Sequence, residues 1–475
     1  MERHENEPQP DPNLIDWSSP SDPDNPMNFS RLRKWIITVF MGIMAICATF
    51  ASSVFSVATD ATAKEFHVSP EVTTLGTSLF VLGFSFGPIF WDPFSELFGR
   101  KTPLFIGFFC FSIFQIPVAV AQNLETIMIC RFWGGCFGAA PLAVVGGALA
   151  DIWNPIDRTM AICIFGGGTF IGPVGAPIMG GFITQSHLGW RWTAWITLIM
   201  NAFFGMLAFI IVPETHGPTI LQRRAKKVRH ETHNWAIHAA KDEAPLHLKT
   251  ITTVYLLRPF YLLIREPILL LVTLYLSFIY GILYLFLEAY PVSFQEQRGW
   301  NLGVGSLPFI SIIVGVGLGS AVMIVSTRTR FRRKYIQSGN KVIPEERLPP
   351  MILGAMALPI GLFWFAWTSS PKMTWVPQVL AGVPAGMGIY VGFWQGLNYI
   401  VDCYGPYANS AIAANTFVRS LAGAGFPMFA VAMYHTLGVD WATTLLALLC
   451  IAFIPAPILL FVYGHKVRGW SRFTG

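Results

Sequence analysis

Long apolar runs are the feature of this sequence that most restricts what it can fold into. A helix needs about 20 apolar residues to cross a hydrocarbon core of about 30 Å, and the chain contains twelve runs of roughly that length. Of its 475 residues, 53% are hydrophobic and only 12% charged, which is too few charges for the surface of a soluble protein. The sequence therefore predicts an all-α, polytopic membrane protein whose twelve transmembrane helices form two six-helix bundles. The predicted spans are 35–57, 73–91, 103–121, 126–150, 160–183, 192–212, 268–290, 303–325, 352–368, 376–401, 411–433 and 441–463.

The twelve predicted spans divide into two groups of six around a long polar connector rich in Lys, Arg and His. The fourth span ends in Asp151-Ile152-Trp153 and the tenth in Asp402-Cys403-Tyr404, a local echo consistent with the duplicated halves of many secondary transporters. The predicted organisation is a disordered cytosolic tail at 1–34, a six-helix bundle at 35–212, a cytosolic central loop at 213–267, a second six-helix bundle at 268–463 and a cytosolic tail at 464–475.

Basic residues predict which side of the membrane each loop occupies, because cytosolic loops retain Lys and Arg. Of the 32 basic residues, 26 fall on one side of the twelve spans, 4 on the other side and 2 inside them. This asymmetry predicts that both termini are cytosolic, and it accounts for the net charge of +6 without a nucleic acid as partner. The plasma membrane is the expected location, with the vacuolar membrane as the alternative. The seven cysteines lack the spacing of a metal site or a disulfide framework, and no metal or cofactor is expected.

Two segments of the first half combine glycine with basic side chains. The turn between spans two and three contains Ser95-Glu96 and Gly99-Arg100-Lys101. Gly99 gives this turn backbone freedom, and its two basic side chains can reach carboxylates at a neighbouring helix end. Span four contains Arg131 followed by a glycine-rich stretch. An arginine inside the membrane is costly enough that it should face a cavity or a partner; the alternative is that it snorkels outward to the lipid headgroups.

Span five combines prolines with small residues. It contains Gly172-Pro173 and, further on, Pro177 and Gly180-Gly181. Prolines remove backbone hydrogen bonds and bend a helix, and small residues let neighbouring helices approach closely. The combination predicts a helix that can flex, although glycine-rich helices are commoner as packing surfaces.

These segments together resemble motifs of the major facilitator superfamily. The 95–101 turn is similar to its loop motif, except that Asp92 stands where the family usually has glycine. The Arg131 segment is similar to its fourth-span motif, with Gly134 where fungal members often carry Gln. Span five is similar to the antiporter motif of its drug exporters, with Ala176 replacing one glycine. The chain as a whole resembles the fungal twelve-span drug:proton antiporters, the group that contains polyamine and multidrug exporters. Further matching segments are 24–29, 265–267, 299–301 and 413–420.

The resemblance implies that spans one, four, seven and ten line a central cavity. Considered on its own, span seven places Ser277, Gly281, Tyr284 and Glu288 on one helical stripe. A carboxylate there is costly unless it is paired or protonatable, so Glu288 is the leading candidate for the proton or cation site, with an acid that merely caps the span as the alternative. Glu288 could pair with Arg131 when the site is empty. The candidate proton and substrate residues are Arg131, Tyr280, Tyr284, Glu288, Trp394, Gln395, Asn398 and Asn415.

Charged residues at the cytosolic span ends predict an inner gate. Asp151 is expected to meet Arg100, and Glu96 a basic partner. Arg419 in span eleven is expected to hold helices together rather than to contact substrate. The predicted gate consists of Glu96, Gly99, Arg100, Asp151 and Asp402, and the predicted antiporter helix contributes Gly172, Pro173, Pro177, Gly180 and Gly181.

Proton-coupled efflux of small hydrophobic or cationic molecules by alternating access is the function that the sequence favours. An ATP-driven pump is disfavoured because the chain has no Gly-Lys dipeptide and hence no phosphate-binding loop. No pore ring of a channel and no clustered site of a membrane enzyme is recognisable. A polyamine:proton antiporter and a transporter-like membrane sensor are the alternatives. The expected partners are a small-molecule substrate, protons and the lipid bilayer, with the chain acting as a monomer.

Overall fold

The computed structural model describes residues 11, 13–243, 253, 257–339, 341–469, 471 and 473. Within these residues, eleven helical stretches are long and apolar enough to cross a membrane. The last stretch, Ala408–Arg468, contains two spans, because Gly438 adopts a φ of +80° and divides it. The described part of the chain therefore has the twelve spans that the sequence predicts.

The spans are numbered α1 to α12 in chain order. The first six are α1 Arg31–Ser53, α2 Pro70–Phe98, α3 Lys101–Val120, α4 Leu124–Ile152, α5 Pro155–Gln185 and α6 Trp192–Ile211. The second six are α7 Pro267–Tyr290, α8 Phe309–Ser326, α9 Leu348–Trp367, α10 Trp375–Tyr404, α11 at 408–437 and α12 at 439–468. Shorter helices are Thr59–Phe66, Gly217–Thr232 (the connector helix) and Arg258–Arg265.

Prolines and capping side chains set where several spans begin. Pro155 and Pro267 occupy first-turn positions, where the missing N–H has no helical partner to lose. The side chains of Asn123 and Asn154 accept hydrogen bonds from the backbone of the first turns of α4 and α5 at 2.9 and 2.8 Å, which stabilises these helix starts. Because the caps lie outside the apolar runs, α5 begins earlier than the apolar run at 160–183 predicts.

The first six spans form one half of the molecule and the last six form the other. The halves meet chiefly through α2 with α11 and α5 with α8. Phe86 on α2 contacts Phe417 on α11 with ring centroids 5.8 Å apart. With an even number of spans, both termini lie on the same face of the molecule; this face is called the terminal face and the opposite one the far face.

The described part of the amino-terminal tail is ordered, although the sequence predicts disorder over 1–34. Asp22 is 2% exposed and forms an ion pair of 2.8 Å with Arg224 of the connector helix. The backbone N–H of Ile15 donates to the carbonyl of His238 at 2.8 Å. The prediction differs because Asp22 and Arg224 are 202 residues apart, and local composition carries no information about so distant a partner.

The predicted central loop at 213–267 contains the connector helix, which begins shortly after α6 ends. Just before it, Glu214 is 8% exposed, and its carboxylate accepts the backbone N–H of Arg100 at 2.7 Å. The loop is therefore attached to the turn between α2 and α3. Residues 244–252 and 254–256 of the loop lie outside the described residues, as do 1–10, 12, 470, 472, 474 and 475 of the two predicted tails.

Candidate functional site

An ion pair at the terminal face joins the start of α3 to the end of α4. The Nε atom of Arg100 lies 3.0 Å from Oδ2 of Asp151, and Nη1 donates to Oγ of Ser95 at 2.8 Å. Gly99 allows this placement, because its φ is +89° and a Cβ there would lie 2.3 Å from an oxygen of Glu214. The predicted contact between Arg100 and Asp151 is present.

The second half holds another ion pair at the equivalent position. Nε of Arg347, directly before α9, lies 2.7 Å from Oδ2 of Asp402 near the end of α10, and the side chains are 4% and 5% exposed. Nη1 of Arg347 also donates to Oγ1 of Thr159 on α5 at 3.2 Å. This second hydrogen bond crosses from one half of the molecule to the other.

A further side-chain hydrogen bond joins the halves at the terminal face. The amide nitrogen of Asn409, at the start of α11, donates to Oε1 of Glu96 on α2. The sequence predicts a basic partner for Glu96, whereas this donor is a neutral amide from the opposite half. Together with the bond from Arg347 to Thr159, it brings the two halves into contact at this face.

The halves also touch towards the far face. The hydroxyl oxygens of Ser52 on α1 and Tyr284 on α7 lie 2.9 Å apart, and the side chain of Gln185 accepts the N–H of Gly303 at 3.1 Å. A Cβ at Gly181 would lie 2.8 Å from the carbonyl oxygen of Leu302. Gly181 therefore lets α5 approach the segment before α8 closely.

Aromatic side chains of α7 and α10 lie between these two sets of contacts. We call Tyr280, Tyr284, Tyr390, Phe393 and Trp394 the aromatic cluster; each is 9% exposed or less. The ring of Phe393 lies 5.1 Å from that of Phe170 on α5, and the Tyr390 hydroxyl donates to the carbonyl of Cys163 on α5 at 2.8 Å. The aromatic cluster of the second half thus packs directly on the first half.

Buried polar atoms beside the aromatic cluster lack hydrogen-bond partners within the described part of the chain. They are Nε1 of Trp394, Oε1 of Gln395, Nδ2 of Asn398 and Oδ1 of Asn415. Asn415 uses its amide nitrogen to donate to Oγ1 of Thr273 at 3.2 Å. Buried polar atoms without partners cost free energy. They are therefore suited to bind water or a polar group of a ligand.

Arg131 on α4 binds backbone carbonyls. It is 2% exposed, and its guanidinium donates to the carbonyls of Ala51, Ser52 and Gly76 at 2.7, 2.9 and 2.8 Å. The first two belong to the last turn of α1, where the α-helix gives way to the 3-10 turn Val54–Ala58. The predicted pair with Glu288 is not among the described contacts, because the carbonyls occupy the guanidinium instead.

Glu288 lies one helical turn beyond Tyr284, towards the far face. It is half-buried, and it makes no hydrogen bond or ion pair with any described residue. The charged groups that act on it are the carboxylates of Asp60 and Glu296, so no basic side chain of the described residues offsets its charge. An isolated carboxylate within a span is costly while ionised, which suits it to carry a proton.

The predicted antiporter helix, α5, continues through Pro173 and Pro177. Its glycines are packing positions: a Cβ at Gly172 or Gly180 would lie 2.0 or 2.7 Å from a side chain of α1 or of the turn that follows α1. The small residues therefore seat α5 against α1, and Gly181 seats it against the second half.

Comparison with known proteins identifies this arrangement of helices: residues 41–427 match the Major Facilitator Superfamily. The chain belongs to this superfamily. It is 55% identical to a citrinin biosynthesis cluster MFS transporter of Monascus ruber over 97% of this chain and 92% of the relative. It is 50% identical to an ascochitine biosynthesis cluster MFS transporter of Didymella fabae over 98% and 90%. The partially occluded, inward-open xylose transporter XylE from E. coli shares its fold, with a TM-score of 0.63 and 16% identity over 91% of this chain and 98% of that one.

Membership of the superfamily makes the chain a membrane transporter rather than an enzyme. In this transporter most of the predicted cavity residues lie near one another. Tyr280, Tyr284 and Trp394 belong to the aromatic cluster, Gln395 and Asn398 follow it on α10, and Asn415 lies on the adjacent α11. Arg131 and Glu288 lie apart from this group, with the contacts given above.

Sequence reasoning missed Arg347 as the partner of Asp402. Membrane topology alone accounts for the basic residues of the segment before α9, so composition gives no reason to place any of its arginines in the gate. A signal was nevertheless present: Arg347 precedes the third span of its half, as Arg100 does in the first half. Comparing the halves position by position would have found it.

Proposed function

We propose that this transporter exports small hydrophobic metabolites in exchange for protons. The observation that carries the proposal is the aromatic cluster with its unpartnered polar neighbours, between two halves that touch towards both faces. Aromatic rings offer contact area to flat apolar molecules, and a few polar groups fix the orientation of a bound ligand. The printed names of the relatives, from citrinin and ascochitine biosynthesis clusters, support cargo of the secondary-metabolite or toxin class.

Alternating access is the proposed mechanism. Opening towards the terminal face requires the halves to separate at Glu96 and Asn409 and at Thr159 and Arg347. Opening towards the far face requires separation at Ser52 and Tyr284. All of these contacts are hydrogen bonds between side chains, which contribute about 0.5–1.5 kcal/mol net between neutral groups and about 1.5–3 kcal/mol where one group is charged. Bound cargo or a bound proton can therefore shift the balance between the two openings.

Glu288 is the proposed proton carrier. It lies towards the far face of α7, one turn from Tyr284, which contacts the first half through Ser52. In the proposed cycle Glu288 takes up a proton when the far face is open and releases it when the terminal face is open. If the terminal face is cytosolic, as the basic residues suggest, inward proton flow then drives cargo outward.

A polyamine is a less suitable cargo than a flat hydrophobic molecule. A polycation needs several carboxylates, whereas Gln395, Asn398, Asn415 and Arg419 flank the aromatic cluster. Spermine therefore serves as the comparison substrate in the test of the proposed function.

The test measures citrinin and spermine flux in liposomes that contain the purified transporter, with and without an imposed pH difference. We expect the pH difference to accelerate citrinin flux, and Glu288→Gln to abolish this acceleration. Glu125→Gln is the matched control, because Glu125 is an exposed acid at the far-face end of α4. Citrinin flux that ignores the pH difference in the wild type would refute proton coupling. Spermine flux without citrinin flux would favour the polyamine antiporter, and no flux of either would favour a sensor.

The proposed location is the plasma membrane, with both termini in the cytosol and the chain acting as a monomer. The distribution of basic residues supports this orientation, because the connector helix and the segment before α9 are both arginine-rich. Protease protection of the connector helix in intact cells tests the orientation. Cleavage by a protease added outside the cells would place this helix and both termini outside.

A further inference from the structure

Arg131 and Arg419 are both buried within spans, but their hydrogen bonding differs. Arg131 donates to three backbone carbonyls. Arg419, on α11, is 8% exposed, and its described hydrogen bond runs from Nη2 to Oγ1 of Thr416 at 3.5 Å, the outer limit of such a bond. Its Nε atom is buried and has no partner among the described residues.

Two aromatic rings lie close to the Arg419 guanidinium. The guanidinium carbon lies 4.9 Å from the ring centroid of Tyr280 and 4.7 Å from that of Phe393, both within the range of a cation–π contact. These contacts involve the π systems of the rings and supply no hydrogen-bond acceptor. The five N–H donors of the guanidinium point outward in its plane, so the edge is the part still available to an acceptor.

Nothing in the described part of the chain neutralises the charge of Arg419. The described ion pairs do not include it, and the titratable groups that act on it are the hydroxyls of Tyr280 and Tyr284. An unpaired buried charge is expensive. Arg131 shows how the same fold satisfies a buried arginine that only joins helices, and Arg419 has no such set of acceptors.

Arg419 lies at the depth where a transporter of this architecture binds cargo. It is 11 residues from the start of α11, Tyr280 is 13 from the start of α7, and Phe393 is 11 from the end of α10. At about 1.5 Å per residue, all three lie roughly 17–20 Å from the terminal face, near the middle of a core of about 30 Å.

Arg419 is also adjacent to the contact between the halves. One turn further along α11, a Cβ at Gly423 would lie 3.2 Å from Val81 on α2. Phe393, which lies 4.7 Å from the guanidinium carbon, contacts Phe170 on α5. Separating the halves would therefore open a route to the guanidinium.

We infer that Arg419 binds the charge of the cargo, and that the cargo is an aromatic acid. A carboxylate or a similarly delocalised oxyanion matches the edge of a guanidinium and can accept two hydrogen bonds from it. The ring of such a molecule would pack on the aromatic cluster. This inference rests on the proposed function and narrows it, since it replaces the expected hydrophobic or cationic cargo with an anionic one. It also replaces the expected role of Arg419 in holding helices together.

The test uses 1-naphthoate and 1-naphthylmethylammonium, two probes with the same ring and opposite charges. Thermal unfolding of the purified full-length transporter is followed with increasing concentrations of each, because a ligand that binds the folded state raises the midpoint. We expect 1-naphthoate to raise the midpoint of the wild type and the cation not to. Arg419→Gln should weaken 1-naphthoate binding about tenfold or more, since hydrogen bonds to a charged group are lost, and Arg419→Lys should retain part of it.

Arg332→Gln is the control for the loss of one positive charge, because Arg332 is exposed and lies outside the membrane core. Three results would overturn the inference: no stabilisation of the wild type by 1-naphthoate, equal stabilisation of Arg419→Gln, or preference for the cation. If Arg419→Gln without ligand were as unstable as Arg131→Gln, the side chain would be structural and the inference would also be wrong. Failure of the proposed function would give a different result: 1-naphthoate would bind through Arg419, but the transporter would show no proton-coupled flux.

Discussion

Arg347 and Asp402 form a buried ion pair of 2.7 Å in the place that Arg100 and Asp151 occupy in the other half. In each half the arginine directly precedes the third helix, and the aspartate lies at the end of the fourth. The two pairs differ in exposure, with 4% and 5% for Arg347 and Asp402 against 12% and 22% for Arg100 and Asp151. Equivalent substitutions in the two halves should therefore have unequal effects.

Asp402→Asn should destabilise the transporter by about 3–5 kcal/mol, because it leaves the charge of Arg347 buried and unpaired. Asp151→Asn should cost only about 1 kcal/mol, since its pair is partly exposed to solvent. Unfolding in detergent measures both. Replacing Arg347 and Asp402 together by Met and Leu should recover much of the loss, and equal effects of the two single substitutions would contradict this account.

Arg131→Gln should lower the yield of folded protein sharply, because three carbonyls at the junction of α1, α2 and α4 lose their donors. Each hydrogen bond to a charged group contributes about 1.5–3 kcal/mol. Size-exclusion chromatography of the solubilised protein provides the measurement. Arg131→Lys should be intermediate, since a lysine cannot reach three acceptors with a planar fork. Normal folding of Arg131→Gln would show that the carbonyls find other partners.

Gly172→Ala and Gly175→Ala should have effects of opposite sign. A Cβ at Gly172 would lie 2.0 Å from Oγ1 of Thr49, whereas a Cβ at Gly175 would meet nothing within 4 Å. Overpacking at Gly172 should cost about 1–3 kcal/mol. Alanine at Gly175 should stabilise the helix by about 0.5–1 kcal/mol, because glycine loses more backbone entropy on folding. Thermal midpoints of the two variants, compared with the wild type, test the prediction.

The contact between the amino-terminal tail and the central loop, in which Ile15 donates to the His238 carbonyl, should depend on pH through the His238 side chain. A hydrogen bond with the Ala236 carbonyl and one with the Glu243 carboxylate raise the pKa of His238, and the carboxylate of Asp11 adds to the effect. With a raised pKa, protonation favours the folded contact, so the stabilisation is complete below the ordinary value of 6.5 and is lost as the pH rises through the raised value. The protection factor of the Ile15 amide is its exchange rate in the unfolded chain divided by its exchange rate in the folded protein. This factor should be larger at pH 6 than at pH 8.

His238→Gln removes the titrating group and should abolish this pH dependence. An unchanged dependence in that variant would assign the effect to another group. The backbone pairing of Ile15 with residue 238 does not need the imidazole, so some protection of the Ile15 amide should remain.

The sequence predicts the twelve spans because apolar length is a local property, and it predicts the contact of Arg100 with Asp151 from span ends on one side of the membrane. It does not predict the partners of Arg131, because these are backbone carbonyls of two other helices, and any residue type can supply a carbonyl. A residue pattern can show that a buried arginine needs acceptors, but not which acceptors it finds.

Arg419 is a second buried arginine whose partners the sequence does not predict. The sequence predicts that Arg131 faces the cavity and that Arg419 holds helices together, whereas the helix-joining hydrogen bonds belong to Arg131. Only the distances separate the two: Arg131 has three carbonyls within 2.9 Å, and Arg419 has one hydroxyl at 3.5 Å. The order of the amino-terminal tail is also not predicted, because the buried carboxylate of Asp22 pairs with Arg224 of the connector helix, far along the chain.

Gly438 joins α11 to α12 through a single residue with a φ of +80°, so no slack separates the two helices. Near its end α12 carries Arg468, which holds Glu345 at 2.9 Å, two residues before Arg347. We therefore expect a rotation of α11 that exposes Arg419 to tilt α12 and to displace the segment that bears Arg347. Cargo binding near Arg419 would in this way be coupled to the ion pair of Arg347 with Asp402 through contacts of the second half alone.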